Sequence, residues 1–249
     1  MKISLLQFDV KWMDIQSNID TISDHLASLE SEIDLLVLPE MFLTGFNMDA
    51  KSAAISEDHS AIRILTTLAR NKNTGIIGSL AISEGTTYYN RVLLITKEGI
   101  VGRYDKQFLF TPSGESETFS KKHSTSLIEY KGWKLLPQVC YDLRFPENVR
   151  SIDQADLIIY MANWPRGRIQ HWNALLKARA IENQCYVIGC NRVGRDDNDW
   201  DFPGNSQVVA YNGNTTMIIK NSKVLNIDLN LQAVLDYRTK YPFLKDKRD

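Results

Sequence analysis

No apolar run in this sequence approaches the roughly 20 residues needed to span a bilayer. An excess of one charge is lacking too: 29 basic residues stand against 30 acidic ones, a formal net charge of -1. Nothing global then draws the chain to nucleic acid or to an anionic membrane surface. Cysteine is scarce. Cys140, Cys185 and Cys190 are odd in number and include no CxxC pair, which argues against a disulfide framework and a cysteine-based zinc site. Reduced thiols fit a cytosolic compartment. No linker rich in proline, glycine or serine divides the chain. The opening MKISLLQFDVKWMD has an apolar run too short for a signal sequence and no small-residue cleavage site. The expectation is a cytoplasmic protein with its 249 residues in one domain, 1–249.

What the chain does have is many short apolar runs. Those at 3–8, 34–39, 74–82, 89–95, 133–139, 155–162, 185–190, 206–210, 215–220 and 224–229 read as strands, with a further one at 100–105. Helical spacing appears between them. Residues 15–30 repeat Ile15, Ile19, Ile22, Leu26 and Leu29 every three or four positions. Residues 58–72 do so with Ile62, Leu65, Leu68 and Ala69. Residues 168–183 do so with Trp172, Leu175, Leu176, Ala178 and Ile181, leaving Lys177 and Arg179 on the polar side. A shorter helix is expected near 147–154. Strands interleaved with helices indicate an α/β fold. Ten or so strands are many for one covered sheet, so two packed sheets with helices outside are expected. The longest irregular piece is 111–126.

Three reactive groups close or follow strand runs. Glu40 ends DLLVLPE, Lys106 follows the run at 100–105, and Cys140 ends WKLLPQVC. Each alone has an ordinary use: a solvated carboxylate, a surface lysine, a packed thiol. As a set they are coherent, because α/β sites form beyond the carboxyl ends of strands. A thiol needs a base or a lowered pKa to attack. Glu40 fits the base, and Lys106 with the Tyr141 N–H fits the stabilisation of an oxyanion. Of the four histidines, His25, His59 and His123 read as surface or packing residues, and His171 is the alternative partner for Cys140. Cys185 and Cys190, five apart, point to opposite faces of a strand and read as packing.

The segments LLVLPE, YDKQFLF and VCYDLRFPE together resemble the nitrilase superfamily of carbon–nitrogen hydrolases. The resemblance covers nearly the whole chain, with spacings of 66 and 34 residues between Glu40, Lys106 and Cys140. The block 160–194 and the DFPGNSQVV after it are similar to the bacterial omega-amidase branch. The resemblance implies a four-layer αββα sandwich of two packed mixed sheets flanked by helices. It implies a homodimer, with the tail at about 230–249 in the contact, and neither a metal nor an organic cofactor. It makes Glu40 the general base, Lys106 the catalytic lysine and Cys140 the nucleophile. Glu115 matches a second glutamate that positions lysine and substrate, with Glu117 as the alternative in the same loop. One position departs from the family: Phe108 stands where a histidine is usual, and with Glu40, Lys106 and Cys140 intact it reads as a packing and orienting position, where the change can still reshape the pocket.

The implied substrate is a small dicarboxylic acid monoamide, such as 2-oxoglutaramate or succinamate, cleaved through a cysteine thioester. Its distal carboxylate calls for a cation: Arg144, Arg166, Arg168 or Arg192. An ion pair with Asp142 or Glu147 is an equal use for Arg144. Phe42, Phe46, Asn163 and Trp164 are expected around the pocket. A nitrilase or an N-carbamoyl amidohydrolase would use the same three residues, and a catalytically silent binding protein is the rival from another class.

Overall fold

The computed structural model describes residues 1–121, 127–150, 155–219 and 223–246. Strand β1 (Lys2–Leu6) leads to helix α1 (Ile15–Ser28), β2 (Leu35–Val37), the short α2 (Ala50–Ala53) and α3 (Ser60–Lys72). Then come β3 (Gly75–Glu84), β4 (Thr87–Thr96), β5 (Gly99–Asp105) and the short α4 (Glu115–Thr118). A second round runs β6 (Ile128–Tyr130), β7 (Trp133–Val139), a 3-10 turn at Cys140–Arg144, α5 (Glu147–Arg150), β8 (Leu157–Ala162), α6 (Ile169–Asn183) and β9 (Tyr186–Asn191). The chain closes with β10 (Val193–Arg195), β11 (Asp201–Pro203), β12 (Gln207–Val209), β13 (Thr215–Ile218), β14 (Val224–Asp228) and α7 (Leu231–Lys240).

Two six-stranded mixed sheets form, ordered β14-β1-β2-β3-β4-β5 and β13-β12-β9-β8-β7-β6. Each is parallel through three strands, β1, β2 and β3 in one and β7, β8 and β9 in the other. Antiparallel neighbours extend both sides. Strand periodicity explains the layering. Leu35 and Val37 enter the core between the sheets, whereas Leu36 and Leu38 pack with Ile19, Ile22, Ile62 and Leu65 of α1 and α3. Leu157, Ile159 and Met161 face the same intersheet core, and Ile158 and Tyr160 face Trp172, Leu176 and Ala180 of α6. The layer order is helix, sheet, sheet, helix, as expected. Cys185 and Cys190 fall in different cores, one on each face of their sheet.

Some expectations change. On α6, Arg179 is buried, not polar-facing, and donates to the Leu143 carbonyl at 2.7 Å and to Glu182 at 2.9 Å. Ile181 is 51% exposed instead. The three-residue strands β6, β10 and β11 sit in no apolar run of the kind that marked β2 and β12. The segment read as a tail contains α7, capped by Asn230 accepting the Ala233 N–H. Residues 151–154 of the helix expected at 147–154 lie outside the described residues. So do 122–126 of the irregular segment, including His123, and 247–249 of the tail. Among the described residues no helix is long and apolar enough to cross a membrane.

Candidate active site

Four strand ends meet at one edge of the two sheets. Glu40 lies three residues beyond β2 and Lys106 directly follows β5, both in the first sheet. Cys140 directly follows β7 and Asn163 directly follows β8, both in the second. Carboxyl ends of strands turn their last side chains into a shared crevice, which is why reactive groups so far apart in sequence arrive together.

Lys106 is the hub. Its ammonium donates to Glu40 Oε1 at 2.9 Å and to Glu115 Oε1 and Oε2 at 3.0 and 2.8 Å. Asn90 Nδ2 donates to both carboxylates, at 2.9 Å to Glu40 and 3.0 Å to Glu115. Two acceptors fix which way that amide points. The Asn163 N–H gives Glu40 Oε2 a further bond at 2.9 Å. Glu115 also accepts the Phe110 N–H at 2.6 Å. All three charged side chains are buried. Such desolvation is tolerable only where every charge is paired and hydrogen-bonded, as here.

Cys140 lies beside this cluster. Its φ is 43°, and the residue after Glu40, Met41, has φ 46°. A left-handed backbone costs a non-glycine residue roughly 1–2 kcal/mol and persists only where the surroundings impose it. The 3-10 turn begins at Cys140, so the Tyr141 N–H is among the first, which have no acceptor inside their own helix. The Cys140 sulfur lies 3.9 Å from the Asn163 carbonyl oxygen. Burial pushes the thiol well above its ordinary pKa, the adjoining Glu40 carboxylate adds to the rise, and Lys106 counters it. The resting group is therefore a thiol with a carboxylate within hydrogen-bonding reach. Burial opposes the charge on Lys106, but Glu115 and Glu40 outweigh it and hold the ammonium well above the usual lysine range.

These groups floor a cavity of about 400 Å³. Phe46, Phe110, Trp164 and Trp200 wall it, and Arg144 and Arg168 line it. The Arg168 guanidinium sits 5.4 Å from the Phe110 ring centroid and 5.3 Å from that of Trp200. Arg144 lies 4.9 Å over Trp164, with a nitrogen 3.3 Å from His171 Nδ1. His171 is thus engaged by Arg144 on an exposed surface and not by Cys140. Asp142 turns inward and does not meet Arg144. Its carboxylate accepts from Tyr104, Val139 and Phe108 instead.

Other expected residues fall elsewhere. Phe42 is buried in the core under α1 and α3, its ring against Gly78, where a Cβ would come within 2.7 Å. It does not line the cavity. It shares the face of Leu36 and Leu38, just past the left-handed Met41. Arg192 is buried on Asp9 and the Val10 carbonyl, at 3.1 and 3.0 Å, and does not line the cavity. Arg166 pairs with Asp201 at the rim. Glu117 is exposed, whereas Glu115 holds the lysine. Phe108 stacks on Phe145 at 3.8 Å. Sequence reading missed Asn90, Phe110 and Trp200. Asn90 left a signal, a lone amide in the apolar run YNRVLLI.

A family model described as carbon–nitrogen hydrolase matches residues 2–239. Omega-amidase YafV of Escherichia coli (strain K12) is 40% identical over 248 residues, covering 99% of this chain and 96% of its own length. The 2-oxoglutaramate amidase of Bacillus subtilis (strain 168) is 33% identical over 258 residues, covering 99% and 97%. Among solved structures, XC1258 from Xanthomonas campestris, a CN-hydrolase superfamily protein with an arsenic adduct in its active site, is similar at a TM-score of 0.94. It is 34% identical, and the match covers 100% of this chain and 97% of that one.

Proposed function

Because the chain belongs to the carbon–nitrogen hydrolase family, we propose that it hydrolyses the terminal amide of a small dicarboxylic acid monoamide, of the 2-oxoglutaramate or succinamate class, as an omega-amidase. One observation carries this reading: Lys106 bridges Glu40 and Glu115 beside a left-handed Cys140, on the floor of a cavity lined by Arg144 and Arg168. Two carboxylates around one ammonium leave the floor formally negative. An anionic substrate therefore needs the two guanidiniums, and Arg168 makes no ion pair among the described residues.

In this mechanism Glu40 takes the Cys140 proton as the sulfur attacks the amide carbon. The raised thiol pKa makes that base necessary. The oxyanion is stabilised by the Lys106 ammonium and the Tyr141 N–H; removing one such donor typically costs about 10²–10³ in rate. Glu40 returns its proton to the leaving nitrogen as ammonia departs, leaving a Cys140 thioester. A water, deprotonated by Glu40, cleaves the thioester to the free acid. Glu115 holds Lys106, Arg144 and Arg168 receive the distal carboxylate, and Asn163 and Trp164 shape the wall.

The same reading places the enzyme in the cytoplasm, as one domain working as a homodimer. Its three free cysteines suit a reducing compartment. Exposed Leu235, Tyr241 and Phe243 on the C-terminal segment suit a subunit contact there, which light scattering tests directly. The function is tested by ammonia release from a panel of monoamides, nitriles and N-carbamoyl compounds, with intact-protein mass spectrometry. Dicarboxylate monoamides should be hydrolysed best and should leave an acyl adduct on Cys140. Undiminished turnover by Cys140→Ala would end the reading.

A further inference from the structure

The two oxyanion donors of the proposed mechanism come from different sheets. Lys106 follows β5 of one, and Tyr141 lies just beyond β7 of the other. Their spacing is therefore not fixed by any one strand ladder. One buried side chain joins the two loops. Asp142 Oδ1 accepts the Phe108 N–H at 2.8 Å, and its Oδ2 accepts the Val139 N–H at 2.9 Å and the Tyr104 hydroxyl at 2.8 Å. Tyr104 and Phe108 stand two residues before and two residues after Lys106. Val139 stands immediately before Cys140. The carboxylate thus grips both flanks of the lysine and the entry to the left-handed nucleophile turn.

We propose that Asp142 is a positioning residue: it staples the Lys106 loop to the Cys140 turn and so fixes the separation of the two oxyanion donors. This inference rests on the function proposed above. Three donors converge on one group, and only a carboxylate, with two oxygens and no proton of its own, accepts all three. A protonated acid or an amide would have to turn a donor toward one of them. The surroundings support the same role. The Tyr104 hydroxyl is itself held by Asn148 Nδ2 at 3.0 Å, and Phe108 on Phe145 ties the same two loops a second time. None of these groups lines the cavity, so Asp142 has no route to the substrate except through what it positions.

The test compares Asp142→Asn and Tyr104→Phe with the wild type, scoring ammonia release from succinamate and the rate of Cys140 alkylation by iodoacetamide. Alkylation needs the thiol and its base but no oxyanion donor, so the pair separates donor placement from general damage. For Asp142→Asn, kcat is expected to fall at least 100-fold, with KM and the alkylation rate within threefold of wild type. Tyr104→Phe, which keeps the carboxylate and loses one grip, is expected to lose at least fivefold in kcat with the same two controls unchanged. It also serves if Asp142→Asn does not fold. A folded Asp142→Asn with wild-type kcat would overturn the inference, as would wild-type kcat in Tyr104→Phe. Loss of alkylation in parallel with kcat would also overturn it, since the residue would then merely support the fold. If the wild type releases no ammonia, the proposed function falls and this inference with it. If the wild type turns over and the variants match it, this inference falls alone.

Discussion

Asp142 carries a second consequence at the scale of the single residue. Burial lifts its carboxyl to about 6 from 3.8, against the opposing pull of Lys106 and its three donors. The folded protein then holds that proton more tightly than the unfolded chain does. Its contribution to stability is fully present below pH 3.8 and is lost as pH rises through about 6. The two pKa values together correspond to roughly 3 kcal/mol at most. Asparagine has no such titration. Urea unfolding at pH 4 and pH 7 should therefore show the wild type losing ground to Asp142→Asn as pH rises, and an equal difference at both pH values would contradict the assignment. A neighbouring prediction concerns recognition. Arg168→Gln should raise KM for succinamate about tenfold or more, as expected for loss of a charge-assisted bond, while a neutral aliphatic amide is hardly affected. Equal losses on both substrates would remove Arg168 from carboxylate binding. Glu40→Gln should cut kcat by about 10²–10⁴, the usual worth of a general base, with Cys140 alkylation slowed in parallel.

At the scale of elements, the β4–β5 pair supports the site. Arg91 and Asp105 face each other across the ladder, joined at 2.6 and 3.0 Å, and both are buried. Their sequence neighbours are Asn90 and Lys106, whose backbones are themselves bonded, Lys106 N–H to the Asn90 carbonyl at 2.9 Å. Arg91→Gln would leave Asp105 charged and buried without its partner. A loss of about 3–5 kcal/mol is expected in denaturant unfolding. The packing of α6 on β9 gives an independent case. A Cβ at Gly189 would lie 2.5 Å from both Leu176 and Trp172, so Gly189→Ala should cost about 1–3 kcal/mol, seen as a lowered melting temperature without loss of the sheet's circular dichroism signal. Elements of this kind were legible in the sequence where they were long or lay in an apolar run. α1 and α3 showed their period and α6 showed it only in part, while β6, β10 and β11, three residues each, sit in no apolar run of the kind that marked β2 and β12. Arg179 and Ile181 exchanged faces because burial on α6 follows the Leu143 carbonyl that Arg179 reaches, which no periodicity encodes.

For the whole molecule, the residues of the floor were readable because strands end on them. Glu40, Lys106 and Cys140 each close or follow an apolar run, and the edge where such runs end is common to both sheets. Residues whose direction depends on a turn were not readable in this way. Phe42 follows a left-handed Met41 and packs inward, and Asp142 sits in a 3-10 turn that swings it away from Arg144. Asn90 was hidden for the opposite reason, being one polar residue in a run whose pattern reads as core. The larger architectural fact is that the floor draws on both halves of the chain. Residues before the segment 111–126 supply Glu40 and Lys106, while Cys140 and Asn163 come after it. Two polypeptides separated between Lys121 and Leu127 would each carry half of the reactive constellation and should be silent alone. Co-expressed, they should regain ammonia release only to the extent that β14 of the second polypeptide pairs with β1 of the first and the two sheets close on their shared core. Turnover in this fold is then an assembly signal: a natural split reporter whose readout is the arrival of one sheet at the other.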